Sequence, residues 1–246
     1  VTNKIESLLI KQAKKMIPKR KFACIFSGGI DSSLQSAIIN KIKKPNILAT
    51  LHHDSKDEIT KCISKFQKFF KTKIFKINIT PIKYFNDLIS IYKNSMLPVY
   101  THSVVGIHQI SKFFKKKKCK VYFAADGADE LFGGYKIYED LDWKSNNLSL
   151  SPYSSINKNI LKKFKIKDKK YNQKINDFRR RVKIKYSFLK NREEINIQTN
   201  LFCDYFIQSV KVGNACNDMI GSDNSIEIRN IFVQKDIIKE IINMPT

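Results

Sequence analysis

Two short segments carry side chains whose types and spacing could do chemistry. Ser27-Gly28-Gly29-Ile30-Asp31-Ser32-Ser33 places three hydroxyls, two adjacent glycines and one carboxylate within seven residues. Hydroxyls and exposed backbone N–H groups donate to phosphate oxygens, and glycines remove Cβ atoms where such an oxygen must approach. Asp31 would repel a bare phosphate, so it calls for a Mg²⁺ between the two. The second segment, Ala124-Ala125-Asp126-Gly127-Ala128-Asp129-Glu130-Leu131-Phe132-Gly133-Gly134-Tyr135, puts three carboxylates within five residues. Such a set binds a divalent cation or positions an amine. Gly127 permits a turn, and Gly133-Gly134 lets backbone pass close to a ligand. Taken alone, the first segment also reads as an ordinary turn capped by Asp31 or Ser32, and the second as a solvated acidic turn.

The surrounding elements decide what these loops can face. Ile5, Leu8, Leu9, Ala13 and Met16 recur at helical spacing over residues 4–17. Phe22 to Phe26 is a short continuous apolar run, as in a strand covered on both faces, and the first loop leaves it directly. Helical spacing resumes from Leu34 to Ile42. Strands are then predicted over Asn46 to Leu51 and Lys73 to Ile77, with a helix between them from Asp57 to Phe70. Helical material follows Pro81 and returns from Val104 to Phe114. Val121 to Ala125 is a further strand, running straight into the second loop. This alternation predicts an α/β fold, a Rossmann-like parallel sheet flanked by helices on both faces. Ligands of such sheets lie beyond the carboxyl ends of the strands, the edge from which both loops depart.

Beyond about residue 140 the pattern changes. Residues 144–176 are rich in Asn, Ser and Lys and weakly periodic, which predicts irregular structure or short helices. Phe178 to Phe188, Leu201 to Val212 and Ile237 to Ile242 read as helices. The expected organisation is an α/β nucleotide-binding core over residues 1–140 and a mostly helical extension over 141–246.

Composition bounds the function. A hydrophobic fraction of 42% is that of a globular chain. The net charge of +24 invites an anionic partner, but the basic residues are 40 Lys and 6 Arg, and Arg is the better bidentate reader of phosphates and bases. The runs Lys115-Lys116-Lys117-Lys118 and Arg179-Arg180-Arg181 are expected to end or face solvated helices, so nucleic acid is not an expected partner. Five scattered cysteines show no zinc spacing and suit a reduced, cytoplasmic protein, with Cys24 a buried small hydrophobe. No apolar run approaches the roughly 20 residues of a membrane span, and no membrane role is expected. His52-His53 follow a strand without a third ligand at metal spacing and read as loop residues. The chain opens on Val1 and is expected to be part of a longer protein.

Neither a G-x-x-x-x-G-K-[ST] nor a G-x-G-x-x-G string occurs. The first segment instead resembles the PP-loop of the N-type ATP pyrophosphatases. The second is similar to the S-G-[DE]-G-[AS]-D-E-[LV]-F-G-G-Y signature of the asparagine synthetase family within that superfamily. The resemblance covers about residues 4–245. It implies an adenine nucleotide α-hydrolase-like fold and a reaction in which ATP adenylates a carboxylate, pyrophosphate leaves, and ammonia displaces AMP to give an amide, most simply asparagine from aspartate. By the same resemblance ATP meets Phe26, Ser27, Gly28, Gly29, Asp31, Ser32, Ser33, Thr50, Ala124 and Ala125. Asp31 and Asp129 hold Mg²⁺ on the departing pyrophosphate. Asp126 and Glu130 are the expected catalytic carboxylates, Asp126 beside the acyl-adenylate and incoming ammonia.

A weaker match joins Asp218 to Ser225-Ile226-Glu227-Ile228-Arg229 and Phe232, resembling the family's R-x-D-…-S-[LM]-E-x-R-x-P-F-L-D segment. Glu227 and Arg229 are expected to pair. The departures are Ala124-Ala125 for Ser-Gly, Cys216 for the Arg, Ile231 for the Pro and Gln234 for the Asp. They open a second reading, a related amidotransferase acting on a sugar, peptide or other carboxylate. The net charge of +24 opens a third, an RNA-modifying PP-loop enzyme. The family's downstream Lys, not met in this sequence, opens a fourth, a non-catalytic nucleotide binder. The family's downstream Lys would lie beyond Thr246, and a glutaminase domain or subunit is the implied source of ammonia.

Overall fold

The structure is a computed structural model and describes residues 2–52, 57–94, 103–135, 138, 169–242 and 244. The chain forms two compact units, Val1–Asp126 with Asn214–Ile237, and Gly127–Gly213 with Ile238–Thr246.

The first unit is built on five parallel strands: β1 (Ala23–Ile25), β2 (Ile47–His52), β3 (Ile74–Asn78), β4 (Val121–Phe123) and β5 (Glu227–Arg229). Their order is β3-β2-β1-β4-β5. The helices between them are α1 (Thr2–Met16), α2 (Ile30–Ile42), α3 (Asp57–Phe70), α4 (Pro81–Asn94) and α5 (Val104–Lys116), as the apolar spacing predicts. Alternate strand residues serve opposite faces. Ala23, Ile47, Ala49 and Tyr122 share one face, where Ile110 and Phe114 of α5 cover them. Phe22, Cys24 and Phe26 serve the other, where Phe22 meets Phe123 at 5.8 Å and Phe26 meets Phe66 of α3 at 4.4 Å between ring centroids. A sheet buried on both faces explains why β1 reads as an unbroken apolar run rather than an alternating one. Cys24 is fully buried, as expected, and burial pushes its thiol up; all five cysteines are free thiols.

The strand order reverses at β1. The chain steps from β1 outward through β2 to β3, then returns to place β4 on the other side of β1 and β5 beyond it. Such a reversal opens a crevice between the carboxyl ends of the two central strands.

The C-terminal part is mostly helical, as expected, and also supplies β5 from within residues 141–246. A three-residue strand of Glu, Ile and Arg carries no alternating signal; it is a strand because Glu227 N–H donates to Lys120 O and Ala124 N–H to Arg229 O at the edge of β4. Helix α9 (Ala215–Asp223) precedes it and packs Cys216 and Ile220 with Ile91, Val104 and Val105. Lys115 and Lys116 close α5, as expected of that run, and the Lys117 ammonium lies over the Phe75 and Phe113 rings. His52 closes β2 and so belongs to a strand rather than a loop; His53 lies outside the described residues.

The second unit contains α6 (Ala128–Phe132), α7 (Lys169–Lys185) and α8 (Arg192–Asp204), the last continuing as a π-helix over Tyr205–Asn214. Helix α10 (Lys235–Ile242) closes the sequence of elements. Helix α7 starts earlier than its apolar spacing suggests, within the stretch expected to be irregular; the rest of that stretch, residues 144–168, lies outside the described residues. Polar Lys, Gln and Arg are good helix formers, and the buried stripe of α7 begins only at Phe178 and Val182, which pack with Phe202 and Cys203. Helix α8 begins at an Asn191 cap whose side chain accepts from Glu193 N–H at 2.9 Å. Its buried side chains include Asn196, Gln198, Thr199 and Asn200, so hydrophobic periodicity could not reveal its first turns. Arg180 and Arg181 face solvent, while Arg179 turns inward and is drawn by the Asp204 charge, a correction to the reading of that run as wholly solvated. Among the described residues no helix is long and apolar enough to cross a membrane.

Candidate active site

The seven-residue loop joins β1 to α2 at the carboxyl edge of the sheet. Phe26 N–H donates to Ala49 O at 2.9 Å, extending the β1–β2 ladder and setting Thr50 beside Phe26 at that edge. Phe26 and Thr50 are buried, and Thr50 Oγ1 is spent on Leu51 O at 3.2 Å, so only their backbone remains to meet a nucleotide. Gly28 takes φ 86°, a conformation glycine enters without a Cβ clash. Gly29 is the N-cap of α2, not Asp31 or Ser32, and makes no side-chain cap. A thirteen-residue helix thus presents its first N–H groups without a side-chain acceptor, the arrangement that favours an anion.

The serines brace this loop. Ser27 N–H donates to Ser32 Oγ at 3.1 Å, the two hydroxyl oxygens lie 2.8 Å apart, and Ser33 N–H donates to Gly29 O at 3.1 Å. Ser32 is buried and Ser33 half-buried, while Ser27 and Gly29 are exposed. Ser32 therefore shapes the loop from beneath. Ser32→Ala should weaken ATP binding about tenfold, the worth of roughly one such hydrogen bond, as isothermal titration would measure. Asp31 follows in the first turn of α2, where a carboxylate suits the helix dipole.

The second loop leaves β4, and β4 is the hydrogen-bonded neighbour of β1, with Ala23 opposite Tyr122 and Cys24 opposite Phe123. Ala124 is buried and its N–H is taken by β5, which leaves it no free donor; Ala125 is half-buried. Asp126 is open to solvent but densely surrounded. Asn217 of α9 donates to its Oδ2 at 2.8 Å, and the nearby Asn230 side chain favours its charged form. Burial nonetheless outweighs both and pushes the Asp126 carboxyl above the usual range. Glu227 and Arg229 pair as expected, in a two-pronged contact of 2.8 and 2.9 Å, and Arg229 also reaches the carbonyl of Met16. Asp218 is exposed on α9.

Within the second unit, Gly127 begins α6 with φ 88°, as the turn requires, and Gly133 ends it with φ 71°. Glu130 is buried and accepts from the Tyr135 hydroxyl at 2.9 Å. This geometry gives Glu130 a bracing part in the α6 turn. Asp129 is half-buried, and burial pushes its carboxyl up. The carboxylate rests on Gly134, where a Cβ would overlap it. The close approach at Gly134 is thus to Asp129 itself.

Sequence reasoning missed Asn217 and Asn230. Asn217 leaves one trace, standing three residues after Asn214, a spacing that by itself reads as the polar side of a helix; Asn230 leaves none.

Among the described residues no three His, Cys, Asp or Glu side chains are grouped to hold a metal ion. A Mg²⁺ on a nucleotide takes most of its oxygens from phosphate and water and needs one or two carboxylates. Asp31 on the helix turn and Asp129, desolvated and seated on Gly134, have the chemistry for that.

A parallel sheet of this order, with an uncapped helix start and a glycine-bearing loop at the strand-order reversal, defines an adenine nucleotide α-hydrolase-like protein. The family model for asparagine synthase matches residues 4–246, and the chain belongs to that family. It is an ATP-dependent, amide-forming ligase of the PP-loop type, acting on small-molecule substrates. No curated protein matches the sequence.

Proposed function

We propose that the chain adenylates aspartate with ATP, releases pyrophosphate, and transfers ammonia to give asparagine and AMP. The observation that carries this reading is the pairing of β1 with β4, which brings the Ser27–Ser33 loop and Asp126 to one edge of one sheet, at its reversal point. The first N–H groups of α2, with the Ser27 and Ser33 hydroxyls, bind the phosphates, and the backbone at Phe26 and Thr50 meets the adenosine. Asp31 and Asp129 are the residues proposed to hold Mg²⁺, which would offset charge on the departing pyrophosphate. Asp126 lies beside the reacting acyl group, and a carboxylate kept basic by burial is suited to take a proton from the amine. Glu130, first expected to be catalytic, is proposed to act through the α6 turn. A cytoplasmic setting and a glutaminase domain or subunit as ammonia source belong to the same proposal.

The test is pyrophosphate release from ATP by the full-length protein with aspartate and ammonium. Stoichiometric pyrophosphate, AMP and asparagine are expected; no pyrophosphate with this pair would reject the aspartate reading.

A second reading, with another carboxylate as acceptor, is favoured by Cys216. It stands where the family carries Arg and is buried among Ile91, Val104, Val105 and Ile220, so no guanidinium is offered there. A panel of carboxylates in the same assay separates the two readings.

A further inference from the structure

We propose that Asn217 and Asn230 are positioning residues that aim the Asp126 carboxylate at the incoming amine. The proposal rests on the placement of Asp126 in the amide-forming step. Both asparagines are nearly fully buried, at 4% and 7% exposure, yet Asn217 donates to a carboxylate open to solvent and Asn230 lies near it. They approach it from separate elements, Asn217 from α9 and Asn230 from the turn after β5. Asn230 Nδ2 donates to Asn214 Oδ1 at 3.2 Å, which anchors the Asn230 amide near Asp126. With Asp218, Arg229 and Gln234, these three asparagines line an open cleft of about 470 Å³.

The choice of carboxamide has a chemical consequence. An Arg or Lys partner would hold the carboxylate as firmly but stabilise its charge and make it a poor proton acceptor. A neutral amide fixes direction through one N–H and adds no charge. Arg229 stands two strand residues from the amino end of β5 and beside Asn230, but its guanidinium is occupied by Glu227 and the Met16 carbonyl. In the step itself, the ammonia nitrogen bonds to the acyl carbon. The acyl C–O bond breaks, its electron pair leaving on the phosphate oxygen of AMP, and the surplus N–H proton passes to Asp126.

The test separates adenylation from amide formation. Asn217→Leu, Asn230→Leu and the nearly isosteric Asn217→Asp would each be assayed with aspartate, by ATP–pyrophosphate exchange and by amide release with ammonium. Exchange should stay within about threefold of the parent, while amide release falls about 10- to 100-fold at saturating ammonium, as expected of lost orientation at the reacting atoms. Equal losses in both assays, or normal amide release in folded variants, would overturn the proposal. Asp126→Asn serves as the reference: if it forms amide normally, the assignment of Asp126 itself fails, not the asparagine pairing. Should the parent show no exchange with aspartate, the Asp126 carboxyl carbon-13 resonance decides the pairing. Loss of the Asn217 donor in Asn217→Leu should raise its titration midpoint, and an unmoved midpoint would reject the pairing. Tyr122, the titratable neighbour facing Asp126 from β4, is held neutral by burial and does not titrate in that range.

Discussion

Asp126→Asn should stop amide release, by about 10³-fold, while leaving ATP–pyrophosphate exchange intact and raising the melting temperature. The first effect follows from removing a proton acceptor, worth typically 10²- to 10⁴-fold. The second follows from placing Asp126 after adenylation in the reaction order. The third comes from linkage. Burial raises the Asp126 carboxyl above its unfolded value, so the folded state disfavours its ionised form. That penalty is absent below the unfolded pKa, grows as pH rises through the folded one, and is constant above it. Asn carries no charge at any pH and keeps an oxygen to accept from Asn217. The stabilisation should therefore be largest at neutral pH and shrink as the solution is acidified. Scanning calorimetry at several pH values, beside the two activity assays, checks all three. A variant that lost activity and stability together would speak against the placement of Asp126.

Gly134→Ala should cut pyrophosphate release about 10- to 100-fold with a small change in stability. An alanine Cβ would overlap the Asp129 carboxylate, and its nearest backbone neighbour, the Asp129 Cα, lies at an ordinary 3.4 Å. The strain is relieved by turning a flexible side chain away, which costs little folding energy but removes the carboxylate from its seat. Displacing a metal-holding carboxylate costs activity on the scale seen when the support of a metal ligand is removed. Raising Mg²⁺ should recover part of the loss if Asp129 is a metal ligand. Gly134→Ala as active as the parent, at ordinary Mg²⁺, would take Asp129 out of that role. A thermal melt and a Mg²⁺ titration of pyrophosphate release are the measurements.

The elements carrying the nucleotide loop were legible because their signals are local. The apolar run at Phe22 to Phe26, the two glycines and the resumption of helical spacing after Leu34 each report conformation within a few residues. The same holds for α3, whose bounds match the apolar spacing from Asp57 to Phe70. What escaped was set by partners distant in the chain. Glu227-Ile228-Arg229 became a strand because the free edge of β4 was there to pair with it, across about a hundred residues. The first turns of α8 hid because they bury Asn196, Gln198 and Asn200, although its end and π-helical continuation overlap the helix expected from Leu201 to Val212. The polarity of those side chains is satisfied by hydrogen bonds to Lys183, Met244 and the helix itself. The burial of Glu130 escaped too, because proximity in sequence does not say which side of a short helix turns inward.

The sequence by itself determined that this chain is an α/β protein with a serine- and glycine-bearing loop and a clustered acidic loop, each at the end of a strand. Apolar runs and the resumption of helical spacing are local signals, and they place those loops after strands. Only the tertiary structure decided that the two strands are neighbours, since strand order is a matter of which edges pair and not of any local propensity. Only the tertiary structure, too, brought Asn217 and Asn230 to Asp126. A hydrogen bond between residues about ninety positions apart exists only once the β4–β5 pairing has closed the distance.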